Sequence, residues 1–337
     1  MRRCLVVTAV GLTSIVPIVP SVAVAKDECQ PSDGLSTCFS SDNLWAQNAT
    51  GSWLSIAPAD TTPDGSVSVG FVTGYLHRPI GLRIASPDPE GTTIYAVEHV
   101  VPATYITSVG VSPRLSIDLA MPVILFQDGA SKADVIGSDD VLPRSAIGDF
   151  RFGPTVSLLQ REGEQGPALA LRFSMVAPTA NASAFSGAAT ATYAPGFSYD
   201  HRIGRFSFGL DAGARIRESV NFGGAVLGPQ VSVALGAAYD ILDEGMLSAG
   251  LEAFGLFTTH TQLEVVDPEV ASDTADEQDS GPPLIPIEWM LGVHNDHLLE
   301  RHLHLHLAGG SFIPTGDGTG VTVPTFRVQG AIGYRFE

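Results

Sequence analysis

The sequence predicts an all-β protein that folds as a closed antiparallel transmembrane β-barrel of about twelve strands. Three observations support this prediction. Polar and apolar residues alternate along most of the chain from about residue 65 to its end. Short and long polar connections separate these alternating stretches in turn. After residue 25, no run of about 20 apolar residues remains that would form a transmembrane helix.

The first 25 residues have the layout of a secretory signal peptide. Arg2 and Arg3 precede an apolar run from Cys4 to Val24, and alanines occupy positions 23 and 25. We therefore expect cleavage after Ala25 and export of the mature chain. A retained membrane anchor is the alternative, but the glycine and prolines within the apolar run disfavour it.

Residues 26–64 precede the alternating region, and we predict that they form an N-terminal periplasmic segment or a partial plug, whereas residues 65–337 form the barrel. Cys29 and Cys38 are the cysteines that remain after removal of the signal peptide. An even pair in an exported chain predicts a disulfide. Closing so short a loop stabilises the folded chain by about 2 to 3 kcal/mol on the chain-entropy model.

The alternating pattern predicts strands that each have an apolar and a polar face. Between residues 65 and 76, for example, Val67, Val69 and Phe71 share one face, and Ser66 and Ser68 share the other. Counted in this way, the predicted strands cover residues 65–76, 94–110, 114–126, 147–160, 167–177, 188–200, 204–217, 226–240, 245–257, 284–295, 301–312 and 325–336.

The connections between these strands point to a membrane. Short ones near residues 112–113, 201–203, 241–244 and 296–300 alternate with long polar ones near 77–93, 127–146, 218–225, 258–283 and 313–324. Outer-membrane barrels have short periplasmic turns and long extracellular loops, whereas a water-soluble barrel has no reason to sort its connections. The apolar faces are therefore expected to contact lipid, and the sheet is expected to close because hydrocarbon does not tolerate open edges.

The last predicted strand resembles the C-terminal signal that bacterial outer-membrane barrels present to the barrel-assembly machinery. Its apolar residues alternate with Arg327, Gln329 and Arg335, and an aromatic residue stands near its end. Glu337 follows that aromatic residue, so the match to a terminal Phe is displaced by one position. Outward aromatic residues predict a girdle at the membrane surface, with the members Tyr75, Tyr199, Tyr239, Tyr334 and Phe336.

The polar faces are predicted to line the lumen, and charged residues of both signs occur there. The predicted lumen-lining residues are Arg114, Asp118, Arg151, Arg172, Asp211, Arg215, Glu252, Glu288, His302, His304, His306, Arg327 and Arg335. They fit either the lining of a wet pore or a paired network that fills the interior. Barrels of about eight strands are filled and barrels of sixteen or more hold a channel, so the predicted strand number leaves both interpretations open.

His302, His304 and His306 alternate with leucines and share one face of a strand. Two imidazoles spaced in this way can converge on one zinc or copper ion, with His294 or Glu288 as a further ligand from the preceding strand. A pH-sensitive lumen is a second interpretation, because histidine titrates near neutral pH. Inert polar lining is the simplest interpretation, so we predict no metal site and keep His302, His304 and His294 as candidates.

Two loops and several absent motifs complete the search for chemistry. The acidic stretch 259–283 is predicted to be a solvated surface loop, with divalent-cation binding as the alternative. The glycine-rich stretch 314–320 lacks the spaced carboxylates of a calcium loop. The sequence contains no nucleophile elbow, phosphate loop, HExxH or His-x-Ser motif. We therefore predict neither an enzyme nor a cofactor.

Three stretches carry a family resemblance: VEH at residues 97–99, MPVILFQDG at 121–129 and IGDFRFGPTVSLL at 147–159. They resemble the barrel regions that some Gram-negative bacteria, notably myxobacterial relatives, fuse to a peptidoglycan-binding domain of the outer-membrane protein A type. More loosely, the chain is similar to the phenol-degradation meta-pathway barrel family. The resemblance covers about residues 45–337, without the peptidoglycan-binding domain, and implies a framework with no functional residue to transfer.

Together these features predict a barrel in the outer membrane of a Gram-negative bacterium. Its expected partners are outer-membrane lipid, lipopolysaccharide, the barrel-assembly machinery and small solutes. Nucleic acid is excluded, because the formal net charge is -18 and phosphate binding needs lysine and arginine. We predict a narrow porin-like channel for passive passage of small solutes. A non-conducting structural or surface-interaction barrel is the main alternative, and a hydrophobic-compound transporter is a third.

Overall fold

The computed structural model describes Cys29 and residues 35–47, 50–84, 92–130, 141–161, 163–222, 225–242, 245–259, 285–298, 302–314 and 323–337. The predicted signal peptide lies outside the described residues. Most of the acidic stretch 259–283 and of the glycine-rich stretch 314–320 lies outside them as well.

The described part of the chain is built from strands. In order, they are β1 (Val67–Ile84), β2 (Thr92–Ser112), β3 (Leu115–Asp128), β4 (Ala146–Ile147), β5 (Phe150–Leu159), β6 (Gly166–Ala177), β7 (Thr192–Ile203), β8 (Phe206–Arg215), β9 (Val220–Phe222), β10 (Ala225–Leu227), β11 (Gln230–Leu242), β12 (Leu247–Thr258), β13 (Ile287–Leu298), β14 (Leu303–Phe312) and β15 (Phe326–Phe336). Within the same residues, no helix has the length and apolarity needed to cross a bilayer.

Twelve of these strands close into an antiparallel barrel, counted over the described residues. β1 pairs with β2 on one side and with β15 on the other, so the first and last strands seal the sheet. The remaining neighbours follow chain order, and β3 pairs directly with β5. The two-residue strand β4 adds to the end of β3, and β9 and β10 form a separate hairpin. The predicted fold class is confirmed.

Inner and outer faces alternate along the strands as the sequence pattern predicts. In β5, Arg151, Thr155 and Ser157 are buried inside the barrel, whereas Phe152 and Val156 are exposed on its outer surface. This alternation follows from the twofold repeat of a strand, which sends successive side chains to opposite faces. The outer surface is a broad apolar band, because the outward positions carry mainly Leu, Ile, Val and aromatic residues.

The strand connections differ in length at the two ends of the barrel. The connections β2–β3, β5–β6, β7–β8, β11–β12 and β13–β14 are short and share one end, here called the short-connection end. The connections β1–β2, β3–β5, β6–β7, β8–β11, β12–β13 and β14–β15 share the other, here called the long-loop end.

One predicted long loop is largely strand. Residues 77–84 and 92–93 belong to β1 and β2, which remain paired as far as Ile84 and Thr92. The sequence pattern is disguised there because the register shifts between His77 and Ile80 and again after Ile80. Arg78, between them, has a φ of 53°, which is typical of an irregular strand. Such shifts exchange the two faces and break the alternation on which the prediction depended.

The residues before β1 lie inside the barrel. This N-terminal segment, described over residues 35–47 and 50–66, contacts inward-facing side chains of β5, β7, β8, β12 and β15. Contacts with strands on all sides of the barrel place the segment in the lumen. Its buried apolar residues, including Trp53, Leu54 and Ile56, form one hydrophobic cluster with inward alanines and Phe254 of the wall.

Candidate functional site in the barrel lumen

The N-terminal segment enters the lumen at the long-loop end. Cys29 and Cys38 form the predicted disulfide, with a Cα–Cα distance of 5.4 Å. Leu35 forms a β-bridge with Phe222 of β9, and Ser40 forms one with Ser186 in the β6–β7 connection. These main-chain bonds add the segment to the long loops as a short extra strand, so it is anchored at this end.

Three phenylalanine rings strengthen this anchor. Phe39 of the segment packs edge-to-face against Phe185 and Phe222, with a centroid distance of 5.2 Å to each. Phe185 and Phe222 also contact each other edge-on. Edge-to-face pairs are worth about 0.5 to 1.5 kcal/mol each beyond the area that they bury. The cluster therefore fixes the segment to two loops at once.

The middle of the segment is held by carboxylates of the wall. Glu252 of β12 accepts hydrogen bonds from the backbone N–H groups of Leu54 and Ser55 and from the Ser55 hydroxyl, at 3.1, 2.7 and 2.6 Å. The Ala57 N–H donates to Asp211 at 3.3 Å, and the Trp53 indole donates to Asp200 at 3.0 Å. A segment without regular structure can be buried only if its N–H groups find such acceptors.

Glycines of the wall make room for the same stretch. A Cβ atom on Gly236 would lie 2.7 Å from Cζ3 of Trp53, and one on Gly209 would lie 2.9 Å from Cδ1 of Ile56. Any larger residue at these positions would displace the segment. The wall and the segment are therefore shaped to each other.

The segment reaches β1 at the short-connection end. The Thr62 and Ser108 hydroxyls are 2.7 Å apart, and the Gly65 N–H donates to the Gly110 carbonyl. The segment thus spans the lumen from one end to the other, within the residues that the structure describes.

Buried ion pairs occupy much of the remaining interior. Arg327 forms a bidentate pair with Glu288, with N–O distances of 2.6 and 3.1 Å, and its Nη2 also donates to Asp42 of the segment at 3.0 Å. Arg172 pairs with Asp211 in the same bidentate manner. Of the two interpretations that the sequence left open, the structure contains the paired network.

The predicted lumen-lining residues fall into three groups. Arg114 is exposed in the turn between β2 and β3, outside its predicted strand, because Pro113 and Arg114 form the turn itself. Four residues are partly buried: Asp118, Arg172, His302 and Arg335. The other eight are buried: Arg151, Asp211, Arg215, Glu252, Glu288, His304, His306 and Arg327.

The histidines do not gather around one point. His294 pairs in register with His306, and their ring centroids are 5.2 Å apart. His306 Nε2 lies 3.8 Å from Glu252 Oε1, and His302 Nδ1 lies 2.9 Å from the Arg335 carbonyl oxygen. Among the described residues, no group of three or more His, Cys, Asp or Glu side chains is arranged to hold a metal ion.

Aromatic residues stand on the outer surface at both ends of the barrel. Four of the predicted girdle residues lie near the short-connection end: Tyr199, Tyr239, Tyr334 and Phe336. Tyr75 lies further towards the long-loop end, in a cluster with His77, His99 and Phe326. The Tyr75 hydroxyl is 2.6 Å from Nδ1 of His99.

Two cavities remain in the interior, one towards each end. The upper cavity, at the long-loop end, has a volume of about 70 Å³, and Trp45, Asp149, Arg151, Arg215 and Arg217 are among its lining residues. The lower cavity, at the short-connection end, has a volume of about 270 Å³ and is lined in part by Trp53, Arg161, Asp200 and Arg202. The stretch around Leu54 and Ser55 lies between them and separates the two ends of the lumen.

Sequence reasoning missed the residues of the segment that complete the site. Asp42, Trp45, Leu54 and Ser55 were not predicted as lumen residues, although a partial plug was considered for their stretch. The signal that was present is compositional: the short stretch Trp53–Ala57 is largely apolar, as expected for a buried segment.

A closed twelve-stranded barrel with an apolar exterior and a charged interior is a barrel of the outer-membrane type. A family model matches residues 89–279 and carries the description "Putative MetA-pathway of phenol degradation". The chain belongs to this family. The looser of the two sequence resemblances is thereby confirmed, and the one to barrels of the outer-membrane protein A type stays a prediction.

Solved structures show the same architecture at low sequence identity. The crystal structure of an outer membrane channel from Pseudomonas putida F1 aligns with a TM-score of 0.57 and 11% identity, over 82% of this chain and 98% of that one. The NanC porin aligns with a TM-score of 0.44 and 8% identity, over 80% and 99% of the two chains. OmpF of Salmonella typhi aligns with a TM-score of 0.35 and 9% identity, over 81% and 98%. A search of curated proteins returned no match.

Proposed function

We propose that the protein is an outer-membrane channel for small solutes whose path is controlled by its own N-terminal segment. The single observation that carries this proposal is the polar contact between the segment and the wall. A permanent core would be held by apolar packing, but here the central contacts are hydrogen bonds to Glu252, Asp211 and Asp200. Water can replace such contacts at little net cost, so the segment can leave the wall without exposing a large apolar surface.

Family membership and the fold support a channel in a Gram-negative outer membrane. We propose that lipid and lipopolysaccharide surround the apolar band, and that the assembly machinery receives the chain through β15. A transport role, and no enzymatic one, follows from the same comparison, since the aligned structure with the highest of the three TM-scores is titled an outer membrane channel.

A second candidate function is a non-conducting barrel with a structural or surface role. The observation that favours it is the filled lumen itself, because the segment spans both ends. A hydrophobic-compound transporter has less support, since each barrel strand is hydrogen-bonded to both neighbours over the described residues, which leaves no lateral opening there.

The test is planar-bilayer conductance of the refolded chain, with and without a crosslink that locks the segment. Ser40→Cys with Ser186→Cys suits this purpose, because the two residues face each other in a β-bridge. Facing residues in antiparallel strands have Cα atoms about 4.5 to 5.5 Å apart, within the range that a disulfide spans. The single-cysteine variants and the unmodified chain in reductant are the controls, since reductant also opens the Cys29–Cys38 bond.

We expect channel openings in the unmodified chain, few openings in the oxidised double variant, and recovery on reduction. Equal conductance with and without the crosslink would show that solutes pass beside an immobile segment. A silent membrane for every variant, including one with a weakened segment contact, would support the structural barrel instead.

A further inference from the structure

We propose that the upper cavity is a binding site for a small organic anion, and that a short-chain carboxylate is the class of ligand that it takes. This inference rests on the proposed channel function and specifies it, since the cavity lies at the long-loop end of the lumen. The N-terminal segment supplies part of the site, because Asp42, Asn43 and Trp45 line it together with the wall.

The first argument is an excess of guanidinium groups without carboxylate partners. Arg151 Nη2 donates to the Ala46 carbonyl at 3.2 Å, and Arg215 Nη2 donates to the Asn43 carbonyl at 2.9 Å. Arg217 donates to the Gly228 carbonyl and to the Gln230 side chain. All of these acceptors are neutral. Burying a cation without a counter-charge is costly, so the cavity favours an anion.

One donor of this group has no acceptor in the protein. Nε of Arg151 is buried and makes no hydrogen bond, and the whole side chain is only 6% exposed. The guanidinium lies over the Trp45 ring at 5.1 Å, with that of Arg215 over the same ring at 3.9 Å. Trp45 thus holds two guanidinium groups side by side, and planar guanidinium groups match the geometry of a carboxylate.

The two carboxylates of the cavity are already engaged elsewhere. Asp149 accepts the N–H groups of Ala180 and Ala188 at 3.0 and 2.6 Å. Asp42 accepts from Arg327 and from the Leu44 N–H. Neither carboxylate forms an ion pair with Arg151, Arg215 or Arg217 in the described part of the chain. The positive charge of the cavity is therefore not neutralised by its own lining.

The third guanidinium remains charged at neutral pH. Burial lowers the pKa of Arg217 to about 10, and the nearby Asp149 partly opposes this effect. Arg217 is then protonated in nearly all molecules at pH 7. The field that attracts an anion therefore persists under ordinary conditions.

The rest of the lining selects an apolar body for the anion. Pro102, Pro122, Ile124, Val176 and Leu227 all contribute to the cavity. A short aliphatic chain fits these walls, and a volume of about 70 Å³ limits its length. A carboxylate head and an aliphatic tail combine both features of the site.

The experiment is a titration of the refolded full chain in detergent micelles with 4,4,4-trifluorobutyrate, followed by ¹⁹F NMR line broadening. The uncharged 4,4,4-trifluorobutyramide is the matched ligand control, because it has the same size and partitions into micelles. We expect saturable binding of the carboxylate and at least tenfold weaker binding of the amide.

Protein variants assign the binding to the cavity. Arg151→Gln and Arg217→Gln should each weaken carboxylate binding about tenfold, whereas Arg78→Gln should not change it, since Arg78 pairs with Glu98 far from the cavity. Heat-dependent gel migration reports whether each barrel is folded. Arg217 lies in a loop, so its variant keeps the test valid if Arg151→Gln does not fold.

Equal binding of the carboxylate and the amide, binding unchanged in both arginine variants, or no binding would each overturn the proposal. None of these results depends on conductance. A closed barrel that still binds the carboxylate would refute the channel function alone, and a conducting barrel that does not bind it would refute the anion site alone.

Discussion

Replacing Glu252 by alanine should release the middle of the N-terminal segment from the barrel wall. Glu252 is 3% exposed and accepts hydrogen bonds from the Leu54 N–H, the Ser55 N–H and the Ser55 hydroxyl. In the alanine variant, all three donors lose their acceptor inside a buried site. In the released segment, the same donors bond to water, so the substitution penalises only the state with the segment in place.

The size of the effect follows from these three bonds. A hydrogen bond to a charged group contributes about 1.5 to 3 kcal/mol, but bonds that share one carboxylate are not additive. We therefore expect a loss of about 3 to 4 kcal/mol for the docked segment. Since about 1.4 kcal/mol corresponds to a factor of ten, the ratio of released to docked segment should rise about 10² to 10³-fold.

Single-channel recording in planar bilayers measures this ratio as an open probability. Hydrogen exchange of residues 50–58 gives a second measurement that does not depend on conduction, and both should increase in Glu252→Ala. Glu252→Gln keeps one acceptor oxygen and should show a smaller effect. Glu98→Ala is the control on the outer surface, where Glu98 pairs with Arg78.

One result would refute the reasoning. If hydrogen exchange of the segment rises in Glu252→Ala while the open probability stays at that of the unmodified chain, the segment does not control the path. If neither quantity changes, the carboxylate does not hold the segment.

Three further predictions concern the fit, the anchor and the charge of the same interior. Gly236→Val should displace Trp53 and destabilise the docked segment by about 1 to 3 kcal/mol, seen as a shift in tryptophan fluorescence that Gly330→Ala, with open space at its Cβ, does not cause. Reduction of Cys29–Cys38 should weaken the anchor by about 2 to 3 kcal/mol, and thermolysin should then cleave residues 35–47 faster. Burial raises the pKa of Asp149 to about 6 from 3.8, against the N–H groups of Ala188 and Ala180. Its ionised form is therefore disfavoured in the folded chain, so stability should fall as the pH rises from about 4 through about 6. The same ionisation offsets Arg151 and Arg217, so trifluorobutyrate should bind more weakly at pH 7.5 than at pH 5.5, and Asp149→Asn should abolish both pH effects.

The barrel could be predicted from the sequence because its physics is local. A strand inside a closed sheet exposes one face to lipid and one to the interior, and this contrast is written at every second residue. Leu305 and Leu307 face outward, and His304 and His306 face inward, as alternation predicts. The prediction was wrong only where the alternation is interrupted, at the shifted register around His77 and Ile80.

The contacts of the lumen could not be predicted in the same way, because they join residues far apart in the chain. Alternation places Glu252 and Asp211 inside the barrel but does not say which groups they contact. Their partners, Ser55 and Ala57, belong to a segment without any repeating pattern. An irregular segment takes its shape from the surface that it covers, so its conformation appears only once that surface has been assembled.

The two kinds of interaction divide the molecule into a fixed part and a removable part. The wall is held by main-chain hydrogen bonds around a closed ring, and no single substitution opens that ring. The segment is held by a bridge to the long loops at Ser40, by carboxylates in its middle, and by hydroxyl and backbone contacts near Thr62. Because each of these contacts can be exchanged for water, the interior can change while the barrel does not. A crosslink at Ser40 and Ser186 and an alanine at position 252 therefore act in opposite directions on one equilibrium, and conductance should follow that equilibrium in both.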